Sequence, residues 1–530
     1  MFFQFPMEIF KKHAKIISEN GFISVEKGSI MDISKRQAGV LRPVSSLPSQ
    51  HGIGTFGKEA YQFVDFLSES GQSYWQMLPL NVTAYGDSPY QSPSSTGLNY
   101  YFIDLDRLRE KGLLTKQEID SSGLDDDGKR VNYGNLFDKR IPLLKKAYSR
   151  FDTKDSRFRL FVADKGFNDF AFYRTRKERF HYRPWYEWDE EYKTYSPELE
   201  EKIKKEHKDT YLFYVWTQYE VLSQYKALKK YANSKGIKII GDRPIYLARD
   251  SVEVYKYPHL FRLDEKHNPT VVAGVPPDCF SADGQLWGNP IYDWDERKKD
   301  NYSWFHQRID HNLTIFDVLR IDHFRGFADY YAIPYGEKTA RNGKWVRGPG
   351  EKLFEGRKNL SIIAEDLGTL DEPVKNLRKT VGYPGRKVLQ FAFDGDRNNP
   401  RRPSKTSENT VCYTGTHDNE PRKGYLDHLS PEQLNVFKQG VKEECALYHV
   451  DYKDDTLENL TRTLDSLCYA GPSFLAIVPI QDILALGDFS RINHPSTLST
   501  DNWSYRTSKE DFSDEVKEFL LANAKKYNRI

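Results

Sequence analysis

The residues best suited to chemistry lie in Arg320-Ile321-Asp322-His323-Phe324-Arg325-Gly326, where an apolar run beginning at Val318 ends in a cluster of charge. A strand sends alternate side chains to one face, so Arg320 and Asp322 project together. The guanidinium can then hold the carboxylate ionised and oriented, as a nucleophilic aspartate requires. Two further carboxylates end apolar runs of the same kind: Glu365 in Ile362-Ile363-Ala364-Glu365-Asp366-Leu367-Gly368, and Asp418 in Tyr413-Thr414-Gly415-Thr416-His417-Asp418-Asn419. One carboxylate attacking an anomeric carbon while another protonates the departing oxygen is the machinery of glycosidic bond cleavage, and a retaining mechanism needs the two roughly 5–5.5 Å apart. In that division of labour Asp322 is the ionised nucleophile. Glu365, emerging from an apolar strand, is the acid whose proton is held by burial and by nearby negative charge. The competing, purely structural reading of Glu365-Asp366 is an N-cap for the following helix, with Asp366 in that place.

Eight apolar segments of strand length must position these groups: 39–47, 73–80, 238–247, 318–324, 361–367, 387–393, 410–418 and 476–484. Helical patterns lie between most of them, as at 57–70, 371–381 and 432–448, and this alternation predicts parallel β/α units. Eight such units make a closed (β/α)8 TIM barrel, whose active site lies at the carboxyl ends of the strands. Asp322, Glu365 and Asp418 end the fourth, fifth and seventh segments and so converge on one cavity.

The spacing of the segments is uneven. The stretch from about 81 to 237 is too long for a single loop and helix. It is rich in helix formers at 198–208 and 211–233, and predicts a mainly helical insertion. A smaller insertion, about 250–315, carries a lid loop at 272–290. The tail from Ser513 reads as a terminal helix. With no repeat or linker to detach a second unit, residues 31–530 are expected to form a single catalytic domain. Residues 1–30 read as a weakly ordered extension, with Met31 as an alternative start and no apolar core of an export signal.

Composition narrows the partner. Acidic and basic residues nearly cancel, leaving +2, so no charged field points to nucleic acid or membrane, and no apolar run is long enough to span one. The 34 tyrosines and 9 tryptophans suit sugars, whose ring faces are apolar and whose rims carry hydroxyls. Cys279, Cys412, Cys445 and Cys468 are scattered without metal-ligand spacing, which predicts a reducing, cytoplasmic setting and no zinc site. Oligomeric state is not legible.

The three charged motifs, together with Ser45-Ser46-Leu47-Pro48, Gly86-Asp87-Ser88-Pro89-Tyr90-Gln91-Ser92, Gly241-Asp242-Arg243-Pro244, Gly284-Gln285-Leu286-Trp287-Gly288-Asn289-Pro290 and Val388-Leu389-Gln390-Phe391, resemble the signature blocks of the 4-α-glucanotransferases of the amylomaltase and disproportionating-enzyme type. The resemblance runs from about Gly39 to Arg506. It implies Asp322 as nucleophile, Glu365 as acid/base, and Asp418 as the carboxylate that distorts the donor sugar. It implies no metal or organic cofactor, and maltodextrin, maltose and glucose as substrates. It also implies Tyr90 stacking on the sugar being cleaved, and Arg320 and His417 as donor contacts. Trp287 becomes a glucose platform, and Ser88, His323, Gln390 and Asn493 further substrate contacts. Asp242 falls nearer the barrel's support, and Asn502 and Trp503 in the closing loop.

The chain departs from the family at Cys279, where a tyrosine is usual, at Glu420-Pro421, where an aspartate and a threonine are usual, and at Ser496, where glycine is usual. Two readings of Cys279 stand side by side: a smaller side chain that closes less completely over sugar and permits more hydrolysis, or a small hydrophobe buried away from the site. Hydrolysis by the same trio and a glucan-binding role without turnover are the competing readings, and retention of all three carboxylates argues against the second. Gly52-Ile53-Gly54-Thr55-Phe56-Gly57 mimics a dinucleotide loop, but the next strand ends in Pro79-Leu80-Asn81 without the acidic residue that holds a ribose. Asp394-Gly395-Asp396 opens like a calcium loop and lacks the glycine and glutamate that complete one.

Overall fold

A computed structural model describes residues 31–125, 128–164, 166–278, 281–358, 360–366 and 371–530. Residues 1–30, Cys279 and Leu367-Gly368, for which the sequence carries expectations, lie outside the described residues. Eight parallel strands form one sheet: β1 (Gln37–Leu41), β2 (Tyr74–Gln76), β3 (Lys238–Arg243), β4 (Val318–Ile321), β5 (Ile362–Ala364), β6 (Gly385–Val388), β7 (Thr410–Tyr413) and β8 (Leu475–Pro479). Their order is β6-β7-β8-β1-β2-β3-β4-β5, so every strand lies beside its neighbour in sequence. The Ala364 amide donates to the Pro384 carbonyl oxygen at 3.0 Å across the remaining gap between β5 and β6. The sheet is a barrel, as the eight segments predict. Each strand is shorter than its segment because the distal half leaves the ladder: Arg42–Leu47 turns away through a 3-10 turn at Val44–Ser46, and the distal parts of the fourth and seventh segments form site loops.

Period two along these strands sorts the interior into layers. Tyr74, Ile240, Val318, Ile363, Val388, Val411 and Ile477 point inward and form one buried cluster with Met31 and Phe474. Two residues further along, the same alternation brings Asp242, Arg320 and Glu365 to the carboxyl end of the interior. Asp242 and Arg320 are direct register partners. The barrel thus has an apolar floor and a polar mouth.

Helix Lys58–Glu69 buries Ala60, Phe63, Val64 and Leu67, the spacing of one helical face. Gly54 and Gly57 of the decoy motif serve packing: a Cβ on Gly54 would lie 1.8 Å from the Val44 carbonyl oxygen, and one on Gly57 1.9 Å from the Asp104 carboxylate. Between β2 and β3 run several helices, the longest Lys208–Ser234, parted from Pro197–Glu206 at His207. At the C-terminus, helix Asp514–Lys526 is followed by the buried Arg529, which donates to the carbonyls of Gln37, Cys468, Tyr469, Gly471, Phe474 and Ser473.

The expected lid loop is largely strand. Val271–Val275 and Gln285–Pro290 pair antiparallel, and Val271–Val275 also pairs with Asp329–Pro334, which pairs with Lys344–Arg347. These four strands form a separate sheet, an arm over the barrel mouth, built from both connections that flank β4. Val272, Tyr331, Ile333 and Ala340 supply its own buried cluster. Two of its pairings are hairpins of consecutive strands, and the third, between Val271–Val275 and Asp329–Pro334, joins them across β4.

Candidate active site

Asp322 is the first residue beyond β4, and its amide donates to the Arg243 carbonyl oxygen at 2.9 Å. His323 then turns the chain with a left-handed φ of 49°. Arg320 Nη2 donates to Asp322 Oδ1 at 2.8 Å, the expected pairing, while Nη1 of the same guanidinium bonds Asp242 Oδ2. Tyr90 Oη donates to that Asp242 oxygen at 2.8 Å. One buried cation is therefore shared by two carboxylates. Burial, with Asp242, Glu365 and Asp418 nearby, outweighs Arg320 and pushes the Asp322 carboxyl up to about 7. The guanidinium orients Asp322 but does not secure its ionisation, as the pair alone had suggested.

Glu365 follows β5. Its amide donates to the Ile321 carbonyl oxygen at 3.1 Å and its own carbonyl accepts from Phe324 N–H at 2.9 Å, so the peptides of Asp322 and Glu365 lie side by side on adjacent strands. Both carboxylate oxygens are held, Oε1 by Arg386 Nη2 at 2.9 Å and Oε2 by His323 N–H at 2.9 Å. Arg386 enters from β6 and was missed in the sequence, where the sixth segment began one residue after it. The helix Glu372–Val381 is capped by Asp371, and Asp366 Oδ1 accepts instead from the Arg386 amide at 2.7 Å.

Asp418 lies in the loop after β7 with its side chain 44% exposed, facing the opening. Asn493 Nδ2 donates to Oδ1 at 2.8 Å, His417 Nε2 lies 3.3 Å from Oδ2, and Arg491 donates to the backbone oxygen at 3.2 Å. The His417 ring, whose pKa burial lowers, stacks on Tyr90 with centroids 5.3 Å apart and planes at 12°. Trp503 lies against both rings.

On the arm, Trp287 meets the His323 ring edge to face at 4.8 Å. Burial drives that imidazole down to about 4, so it is neutral at pH 7. Gln91, next to Tyr90, donates to the Trp287 carbonyl at 3.3 Å and to Asn289 Oδ1 at 3.2 Å, tying the arm to the tyrosine turn.

The structure thus brings together Asp322, Glu365, Asp418, Asp242, Arg320, Tyr90, His417, His323, Asn493 and Trp287. Two residues named from the sequence are engaged elsewhere. Ser88 Oγ accepts from the Tyr90 amide at 3.2 Å and shapes the turn, and the buried Gln390 amide donates to the Glu420 carbonyl at 3.2 Å beneath the Asp418 loop. Of the departures, Glu420 faces Arg491 and His428 at 3.5 and 3.2 Å. Ser496 adopts a φ of 62°, a conformation that suits glycine.

A neutral imidazole, two gripped carboxyls at adjacent strand ends and a third carboxylate across the mouth can perform double displacement at an acetal carbon. Comparison with known proteins agrees. The family model described as 4-alpha-glucanotransferase matches residues 42–511. A 4-alpha-glucanotransferase of Clostridium butyricum is 44% identical over 494 residues, covering 92% of this chain and 99% of the relative. One from Streptococcus pneumoniae is 42% identical over 510 residues, 94% and 98% of the two chains. The solved amylomaltase of Streptococcus agalactiae, in complex with acarbose, is 40% identical with a TM-score of 0.87 over 93% of this chain and 100% of that one. With all but the ends of its length covered by that model, the chain belongs to the 4-alpha-glucanotransferase family and is an enzyme that transfers glycosyl groups.

Proposed function

We propose that this enzyme cleaves an α-1,4-linked maltodextrin, holds the glycosyl segment on Asp322, and passes it to the 4-hydroxyl of glucose, maltose or another maltodextrin. The observation that carries the reading is the side-by-side placement of Asp322 and Glu365, on strands spaced about 4.8 Å apart, close to the roughly 5–5.5 Å of retaining enzymes. Glu365 protonates the glycosidic oxygen as Asp322 Oδ2, free of Arg320, attacks the anomeric carbon; the reducing-end segment departs with the proton. Glu365 then takes the proton of the incoming 4-hydroxyl, which attacks the same carbon and releases Asp322. Two inversions leave the linkage α. Asp418 stabilises the flattened donor sugar, and Tyr90 offers an electron-rich ring to the positive charge that develops there. Acarbose, bound in the Streptococcus agalactiae relative, supports an oligosaccharide substrate. We place the enzyme in the cytoplasm, where buried free thiols such as Cys412, Cys445 and Cys468 persist; among the described residues no helix is long and apolar enough to cross a membrane.

The test is incubation with maltotriose while free glucose, longer oligosaccharides and total reducing ends are followed. Transfer yields glucose and maltopentaose at constant reducing ends. Rising reducing ends without longer products would replace this reading with hydrolysis, and no change would refute the proposed substrate.

A further inference from the structure

Beneath the loop that carries Asp418, one buried carboxylate holds both of its ends. Asp482 lies on the helical turn Ile480–Ile483 that follows β8. Its Oδ2 accepts from Thr414 Oγ1 at 2.8 Å, at the start of the loop, and from Arg422 Nη2 at 2.8 Å, at its end; its Oδ1 accepts from the Arg422 amide at 2.8 Å. Thr414 and Arg422 are wholly buried and Asp482 is 2% exposed. Gly415 lets the chain pass close over this group, since a Cβ there would come within 3.2 Å of Asp482 Oδ2 and 3.1 Å of Gln390 Oε1. Between the two attachment points, Asn419 Oδ1 accepts from the amide and hydroxyl of Thr416, and Thr416 Oγ1 accepts from the Asp418 amide. Asp482 thus anchors both ends of the loop, and within it the bonds of Thr416 with Asn419 and with the Asp418 amide shape the turn from which the Asp418 carboxylate reaches Asn493.

We infer that Asp482 is a positioning residue for Asp418: by closing the Thr414–Arg422 loop at both ends it fixes the third carboxylate where the distorted donor sugar needs it. The inference rests on the proposed role of Asp418. A displacement of about 1 Å at a group that acts only in the transition state is enough for a hundredfold loss, so the effect falls on turnover and on ligands that mimic the distorted sugar. Asp465 is the natural comparison. Its Oδ1 also takes a hydrogen bond from Arg422 Nη2, at 2.9 Å, but it touches neither Thr414 nor the start of the loop.

The experiment measures the affinity of acarbose, whose unsaturated ring is flattened like the distorted donor, by calorimetry on the purified full chain. In Asp482→Asn an amide nitrogen faces the Thr414 and Arg422 donors or, if flipped, the Arg422 amide, so the loop cannot keep all three contacts. We expect acarbose to bind at least tenfold more weakly, kcat on maltotriose to fall with KM little changed, and Asp465→Asn to bind acarbose within twofold of the parent. In an Asp418→Asn background, Asp482→Asn should add less than twofold. An Asp482→Asn enzyme with parental acarbose affinity, or one whose loss persists in full in the Asp418→Asn background, overturns the inference. If Asp418→Asn alone leaves acarbose binding unchanged, the reading of Asp418 fails first and the inference fails with it. Should Asp482→Asn not fold, Thr414→Val removes one attachment alone and should weaken acarbose about threefold, again only when Asp418 is present; an unchanged affinity there overturns the inference equally.

Discussion

Replacing Asp322 by asparagine should abolish transfer and raise stability together, with the gain growing as the pH rises. The folded protein holds the Asp322 proton up to about pH 7, against an ordinary carboxyl value of 3.8. Between those values the folded chain binds a proton that the unfolded chain has released, so this group's contribution to stability falls as pH rises and is lowest above 7. At pH 8 the full shift corresponds to about 4 kcal/mol. The side chain is 26% exposed, and solvent screening reduces that to roughly half. With an unfolding entropy of about 1 kcal/mol per kelvin for some 500 ordered residues, Asp322→Asn should melt ~2–4 °C above the parent at pH 8. The excess should shrink to ~1 °C at pH 5 and vanish near pH 4. The asparagine oxygen still accepts from Arg320, whose charge remains balanced by Asp242, so the substitution leaves no orphaned cation. Thermal melts of both proteins across that pH range, with transfer assayed in parallel, make the test. A variant less stable than its parent at pH 8, or more stable by the same margin at every pH, would refute the argument that burial of this charge is held against the fold for the sake of chemistry.

Other outcomes follow from the same geometry. With Asp322 attacking as the carboxylate, as proposed, kcat/KM should fall as pH drops through about 7, tenfold per unit below it, and a flat profile between pH 5 and 8 would contradict the value assigned to it. Glu365→Gln should lower turnover of maltodextrins by about 10²–10⁴ yet still release fluoride from maltosyl fluoride, whose leaving group needs no proton; equal losses on both donors would count against the acid/base role. Tyr90→Phe keeps the ring on His417 and loses the bond to Asp242, which should cost about 1.5 kcal/mol, or roughly tenfold in kcat/KM; an unchanged rate would detach that hydroxyl from the site.

The chemistry was more legible in the sequence than its surroundings. Strand periodicity alone puts Arg320 with Asp322, and the same alternation leads from Ile363 to Glu365. Arg386 escaped because an arginine beside Lys387 reads as a polar strand edge, whereas the strand begins at Gly385, where a Cβ would lie 2.0 Å from Arg378 Nη1 and 2.4 Å from the Asp366 carboxylate. Gln390 lies in its expected segment, where the chain leaves the ladder at Leu389 in a 3-10 turn and its side-chain amide donates to the Glu420 carbonyl. The cap of the helix Glu372–Val381 is Asp371, because a capping residue is decided by where the helix starts. The union of the arm's two hairpins into one sheet was unreadable because Val271 pairs with Pro334, and a single run of residues does not show its partner when a barrel strand intervenes.

That pairing also ties the history of the two connections together. The strands at 271–275 and 285–290 come from the stretch before β4, those at 329–334 and 344–347 from the stretch after it. Deleting either stretch would strip the other of its partner and leave an open edge of unpaired backbone, the kind of surface that recruits foreign strands. Each of the two connections therefore covers an edge that the other would leave open.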